Sequence, residues 1–378
     1  MKLKKLLALC LALVLVLLVA CSTNNAPQQD ADGSDENSNA SNGQTEGNDA
    51  AESLETLYSS VSAESQTIAV DEIVDYTANE PYTIGIAMNT IGTPFYKALS
   101  DTMVSLIEEA GGEALMAVCD EDAAEQVNQI ENFIAQQVDA IIIKPADPAE
   151  TISIALDKAY EANIPVISVD APPAEDAKYL SAYITDAYDL GYLVGEEIAK
   201  QLLEKYPEGE IEYGIIGAID GNEIASIRNN ASRDGIKAVD TEGRIKEVAY
   251  LYSGDFSEEG GLQTAENMIV ANPNIAAIIG TCDAHIIGAT SAAERLERSD
   301  ILMGAIDGSK TAMEMMKDGR CIVALAWNSP QEVGHAAVSG TIGLLNGEAT
   351  PQSRTMIIKG VMITPENVDQ YYDPDSAF

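Results

Sequence analysis

Ala162-Asn163-Ile164-Pro165-Val166-Ile167-Ser168-Val169-Asp170 compresses the architecture of this chain into one short run. A helical pattern ends at Ala162, Pro165 opens a strand, the strand stays apolar to Val169, and Asp170 stands at its carboxyl end. A strand with no polar face must be covered on both sides, which marks a parallel sheet between helices. The same grammar repeats along the chain. Strands are predicted at 82–88, 114–119, 140–144, 165–169, 211–217, 247–252, 276–280, 302–306 and 323–327. Helices are predicted between them at 96–110, 123–137, 150–162, 190–205, 260–271, 284–296 and 332–345. Gly111-Gly112 and Asn272-Pro273 stop helices where the pattern requires it. Spread over about 300 residues, 81 to 378, this alternation predicts an α/β protein with two doubly wound parallel-sheet lobes. The helix at 190–205 links the two runs.

Ligands of open parallel sheets collect beyond the carboxyl ends of the strands. Polar residues at those ends are therefore the informative ones. Asn89 follows the first strand, Asp170 the run Ile167-Ser168-Val169, and Asp283 the run Ile278 to Cys282. Asp307 follows Gly304-Ala305-Ile306, and Asn328 follows Leu325-Ala326-Trp327. Asp and Asn also cap helices, yet the recurrence exceeds what loop chemistry needs.

Upstream of the periodic part the chain changes character twice. Lys2, Lys4 and Lys5 precede an unbroken apolar run from Leu6 to Ala20, the pattern of an export signal. About 15 apolar residues fall short of the roughly 20 that a membrane span needs. Leu18-Val19-Ala20-Cys21 resembles the bacterial lipobox, which implies removal of residues 1–20 and lipidation at Cys21. Two or three acyl chains hold a protein on a membrane durably. From 21 to 80 the sequence is acidic and polar, with no Lys or Arg, and is predicted to be a disordered tether. As an ideal coil it spans roughly 40–45 Å.

The formal net charge of −40 argues against nucleic acid and anionic lipid head groups as partners. Cys119, Cys282 and Cys321 remain once Cys10 and Cys21 are set aside. Three buried thiols are expected, with Cys282–Cys321 the one pairing left open. Only His285 and His335 offer a base, so no hydrolase triad is predicted and no catalytic residue is assigned. Cys282 and His285 lack the partners of a zinc site. Gly308-Ser309-Lys310-Thr311 lacks the first glycine of a phosphate loop. No metal site and no cofactor are expected.

Nine segments carry a resemblance to a known family. They are N-T-I-G-T-P-F-Y (89–96), V-D-A-I-I-I-K-P-A-D (138–147), A-N-I-P-V-I-S-V-D (162–170), T-D-A-Y-D-L-G (185–191) and S-R-D-G-I (232–236). S-G-D-F (253–256), C-D-A-H-I-I-G-A (282–289), A-I-D-G (305–308) and W-N-S-P (327–330) complete the set. In this order and spacing, the chain resembles the type I periplasmic sugar-binding proteins, the ribose/galactose group that delivers ligands to ABC importers. The resemblance implies two lobes joined by a three-segment hinge near 184–186, 328–329 and 358–360. One lobe is then 81–185 plus 329–358, and the other 186–328 plus 359–378. It implies Phe95 and Phe256 as aromatic walls, with Asp170, Asp283 and Asp307 accepting hydrogen bonds from ligand hydroxyls. Asn89 and Asn328 can donate and accept; Tyr96 adds a hydroxyl or packs; Thr93, Ser232 and Cys282 complete the implied ligand set. The partners implied are a small sugar or polyol and an ABC permease, with the protein a monomer. The same module also serves DNA-binding repressors, which the lipobox and acidity oppose, and membrane sensor kinases, which stay open as an alternative.

The departures from that family matter equally. An arginine usually follows the aspartate at 170, or stands three residues before the glycine at 235; here the residues are Ala171 and Ser232. Cys282 takes a place commonly held by Asn. Three carboxylates without those cations need neutralising, because unpaired buried charge is costly. Arg228, four residues before Ser232, can share its helix face; Lys144 and Lys97 are further candidates. Otherwise the ligand brings positive charge, as an amine would, or a metal ion does. On this reading the specificity lies away from ribose and glucose. Trp327 is placed beside the hinge.

Overall fold

The apolar runs do become strands of two parallel sheets, each covered by helices on both faces. The structure is a computed structural model and describes residues 53–147, 150–376 and 378. In chain order the first run is α1 (Leu54–Ser60), β1 (Gln66–Ile68), β2 (Thr83–Met88), α2 (Pro94–Glu109), β3 (Glu113–Val118), α3 (Ala123–Gln136), β4 (Ala140–Ile143), α4 (Glu150–Glu161), β5 (Val166–Val169) and β6 (Ser181–Thr185). The second is α5 (Ala187–Lys205), β7 (Ile211–Gly217), α6 (Glu223–Val239), β8 (Ile245–Tyr252), α7 (Glu258–Ala271), β9 (Ile275–Gly280), α8 (Asp283–Arg295), β10 (Leu302–Asp307), α9 (Lys310–Lys317) and β11 (Ile322–Trp327). The chain then returns through α10 (Pro330–Leu345) and β12 (Thr355–Ile358) before β13 (Val361–Ile363).

One sheet has the order β1-β12-β6-β5-β4-β2-β3, the other β13-β11-β10-β9-β7-β8. Every pairing is parallel except β13 against β11. The strand period of two divides the core. Ile84, Ile86 and Met88 enter one buried cluster with Leu99, Met103 and Val333, while Ala87 points to the other face with Ile141, Ile143 and Leu156. The second sheet repeats the arrangement, with Ile215 and Ile279 facing Val194 and Ile198, and Ile216 and Ile278 facing Met268 and Ile286. Each such isoleucine contributes about 1.5–3 kcal/mol when fully buried. The chain passes between the sheets after β6, after β11 and after β12.

Glycine sets how tightly the second lobe's helices close. A Cβ on Gly195 of α5 would lie 1.9 Å from the Ser232 carbonyl oxygen of α6. One on Gly235 of α6 would lie 2.2 Å from the Tyr192 carbonyl oxygen. The two helices therefore meet backbone to backbone.

The tether reading needs correction at its end. Residues from 53 to 80 are not a loose linker: α1 and β1 dock on the first lobe, with β1 in parallel register beside β12 through Gln66–Met356 and Ile68–Ile358. Leu57, Tyr58, Val61, Ile68, Ile73 and Tyr76 pack on the cluster around Ile84. Composition averaged over 21–80 concealed apolar residues concentrated in the second half of the stretch. The predicted signal peptide, Cys21 and the earlier part of the tether lie outside the described residues. No helix among the described residues is long and apolar enough to cross a membrane. Cys119, Cys282 and Cys321 are buried, unpaired thiols, so the pairing left open between Cys282 and Cys321 is not made.

Candidate ligand cleft between the lobes

Strand ends from both sheets meet at one cleft of about 670 Å³. From the first lobe it receives Thr93, Phe95, Tyr96, Lys144 and Asp170; from the second, Arg228, Phe256, Cys282, Asp283 and Asp307. Asn328 lines it from the crossing after β11.

The first turn of α2 aims its aromatics by local chemistry. Thr93 caps the helix, its Oγ1 accepting the Tyr96 N–H at 3.2 Å, and Pro94 presets the first helical φ. Phe95 and Tyr96 then stand edge to face, with centroids 5.5 Å apart. Tyr96 donates its hydroxyl to Asp170 Oδ2 at 3.1 Å. Burial, then the charge of Asp170, pushes the Tyr96 phenol up, so it stays a donor at any physiological pH. Lys144, immediately after β4, lies 3.7 Å from the same carboxylate oxygen and 5.6 Å above the Tyr96 ring.

The second lobe holds its own acid–base pair. Asp307 ends β10 and lies 3.5 Å from Arg228 of α6. Asn328 donates Nδ2 to Asp307 Oδ1 at 3.1 Å and accepts Thr185 Oγ1–H at 2.7 Å, tying both lobes to one amide. Burial raises the Asp307 carboxyl, Arg228 and Asn328 pull it back, and Asp170 across the cleft adds to the upward push. Both Asp170 and Asp307 have left-handed backbone, with φ of 62° and 127°. For residues with a Cβ this is strain of the kind that collects at functional sites.

Asp283 differs from these two. It is 2 % exposed and opens α8, where its Oδ2 accepts the Ser309 N–H at 2.5 Å. Its Oδ1 has no partner, and no cation among the described residues pairs with it. Burial, then the nearby Asp307 charge, raises its carboxyl well above the usual range. Arg228 Nε is likewise without a partner, although its NH1 donates to the Thr281 carbonyl. An unmet acceptor and an unmet donor thus belong to two residues that line the same cleft. Burial pushes the neighbouring Cys282 thiol up to about 12, so it lines the cleft as a neutral group.

Phe256 is held from behind by His285, with rings nearly parallel and centroids 6.2 Å apart. His285 Nε2 lies 2.9 Å from the Asp255 carbonyl and 3.0 Å from Ser253 Oγ, so the histidine braces the 253–256 loop. Burial lowers its basicity, which keeps the ring neutral in that role.

Asn89 and Ser232 are not brought to the cleft. Asn89 turns its Nδ2 to Glu121 Oε1 at 2.9 Å, closing the loop after β2. Ser232 is 1 % exposed, bonds back to the Arg228 carbonyl at 3.0 Å, and sits where α6 meets Gly195 of α5. One helical turn separates it from Arg228, and that turn carries it into the helix–helix seam. Lys97 pairs with Asp101 on its own helix and leaves the cleft charges alone. Among the described residues no group of three His, Cys, Asp or Glu is arranged to hold a metal ion. Lys144, one of the cations considered for neutralising the carboxylates, lines the cleft, and so does Phe378, which was not expected there. Lys144 stands at a strand's carboxyl end like the aspartates; Phe378 carried no such signal.

Residues 84–349 match the periplasmic binding protein domain. The chain belongs to the periplasmic binding protein family. Among its relatives is the ribose import binding protein RbsB of Bacillus subtilis, 26% identical over 278 residues, 74% of this chain and 86% of that one. A solute-binding protein of an ABC transporter from Actinobacillus succinogenes, solved with D-allose, superposes with a TM-score of 0.67 at 22% identity, over 77% of this chain and 100% of that one. One from Bacillus halodurans, solved with myo-inositol, gives 0.64 at 24%, over 77% and 96%. At such identities the superpositions carry the fold, here the two-lobe type I architecture. A periplasmic binding protein captures solutes for ABC transport outside the cytoplasm and is not an enzyme. The scarcity of histidine in the sequence pointed the same way.

Proposed function

We propose that this periplasmic binding protein captures a sugar or cyclic polyol between its lobes and presents it to an ABC permease, while lipid on Cys21 keeps it at the outer face of the membrane. The observation that carries the ligand class is the two ion pairs, one in each lobe, Lys144–Asp170 and Arg228–Asp307, with Asp283 Oδ1 and Arg228 Nε left unmet beside them. Carboxylates already balanced by cations accept hydroxyl protons in charge-assisted bonds without demanding a charged ligand. Lys144 and Arg228 occupy the role of the arginines absent at 171 and 232, which favours a neutral polyol. Only the unpaired Asp283 favours an amine-bearing one. Phe95 and Phe256 offer apolar faces to the carbon side of a ring.

Mechanistically, ligand contacts drawn from both lobes shift the population toward the closed form. A thermal-shift screen of the mature chain with D-ribose, D-allose, myo-inositol and glucosamine tests this, since a specific binder gains stability by mass action. A hit among the neutral compounds is expected, with Asp307→Asn weakening it by about 1–3 kcal/mol. A response to glucosamine alone would move the assignment to amines, and a hit indifferent to Asp307→Asn would remove the cleft from the reading. Labelled palmitate carried by the wild type and not by Cys21→Ala tests the anchor.

A further inference from the structure

The cleft has an end wall that the sequence did not announce. After β13 the chain stays on the second lobe: Tyr371 packs on Trp327 with centroids 5.1 Å apart, and Tyr372 donates to Glu314 Oε1 at 2.9 Å. Lys310 of α9 then donates to the Pro374 carbonyl. Beyond that point the strand of chain crosses to the first lobe. Gln331, in the first turn of α10, donates Nε2 to Ser376 Oγ at 3.1 Å, and Ser376 Oγ in turn bonds the Phe378 carbonyl at 2.8 Å. The Phe378 ring stands perpendicular to Phe95, with centroids 5.6 Å apart. A second cavity of about 800 Å³ lies on the hinge side, walled by Trp327, Lys359 and Gly360. Lys310 and Phe378 line both that cavity and the cleft, and so form the partition between them.

We infer that Phe378 is a specificity-determining residue: its ring closes the hinge-side end of the cleft, touches the bound ring, and limits how long a ligand fits. The anchors explain its placement. Lys310 belongs to one lobe and Gln331 to the other, so the segment is seated only when the lobes are near each other, and the aromatic wall is completed by closure. An edge-to-face partner for Phe95 also fixes that ring for stacking.

This inference rests on the sugar or polyol reading, and its test separates the two. With the full mature chain, calorimetry of D-allose, D-ribose and myo-inositol is compared with phenyl β-D-glucoside, a longer probe. Phe378→Ala should weaken whichever compact probe the wild type binds by about tenfold, an aromatic contact's worth. It should also narrow the preference over the phenyl glucoside, as the two cavities join. Phe378→Tyr should restore both. Compact-probe affinity unchanged in Phe378→Ala, while Asp307→Asn abolishes it, overturns the inference and leaves the binding reading standing. If no compact probe binds the wild type, the binding reading falls, and crosslinking decides the placement. A short bis-maleimide should join Phe95→Cys to Phe378→Cys in the doubly substituted protein, and failure to join them overturns the partition.

Discussion

Asp283 shows how far a binding site departs from what folding alone would choose. A buried carboxylate with one unmet oxygen and no cation opposes the folded state, and the neighbouring Asp307 adds to that opposition. Asp283→Asn keeps the acceptor for the Ser309 N–H and removes the charge. We expect the ligand-free variant to be more stable at neutral pH by about 1 kcal/mol and to bind more weakly. Urea unfolding beside calorimetry checks both, and a variant less stable than the wild type would mean that Asp283 is already neutralised. At this scale the sequence was informative where chemistry is dictated by position. Carboxylates at strand ends were legible because parallel sheets expose those ends. Asn89 was misplaced because an asparagine at a strand end serves a local loop equally well, here through Glu121. Ser232 was misplaced because helix phase, and with it the seam against Gly195, is invisible without the partner helix.

At the scale of elements, the buried runs of β2, β4, β5 and β9 were readable from β-branched composition alone. β6, β12 and β13 were not, being only partly buried and so lacking a continuous apolar run. The polar helix α6 entered only as the face shared by Arg228 and Ser232, without bounds, since its interior Arg, Asn and Asp residues blur the apolar stripe. The docked stretch before β2 is the largest difference. It is clasped by α10: Asn346 Nδ2 donates to the Thr77 carbonyl at 2.9 Å, and His335 Nε2 lies 2.6 Å from Asp75 Oδ1. Glu332 first, and Asp75 with it, holds the His335 imidazolium above its ordinary range. A raised histidine adds stability that is complete below its unfolded value of about 6.5 and lost as pH rises through the folded one. His335→Asn should therefore cost stability at about pH 6 and progressively less as pH is raised. A penalty that does not change with pH would show the pair to be uncharged. Helix closure gives a second expectation. Gly195→Ala, which drives a methyl into the Ser232 carbonyl, should lower stability by at least about 1–3 kcal/mol by overpacking, read as a fall in the urea midpoint. An unmoved midpoint would contradict the backbone contact.

On the scale of the whole molecule, closure should be visible from one reporter. Trp327 is the only tryptophan in the chain. It ends β11, one residue before Asn328, whose amide joins Thr185 to Asp307. Ligand that tightens this junction is expected to shift Trp327 emission, and small-angle scattering of the same sample should show a smaller radius. Bound ligand with neither signal would place the motion elsewhere.

The seam between α5 and α6 governs what kind of motion that can be. Packed helices slide past one another when side chains separate their backbones, and Gly195 and Gly235 leave no such cushion. α5 is also the element entered directly from the crossing after β6. Torque applied at that junction is thus handed to the second lobe through a locked pair of rods. Any swing of this lobe is then that of a stiff lever on a fulcrum of three short segments, in which small rotations become large displacements at the rim.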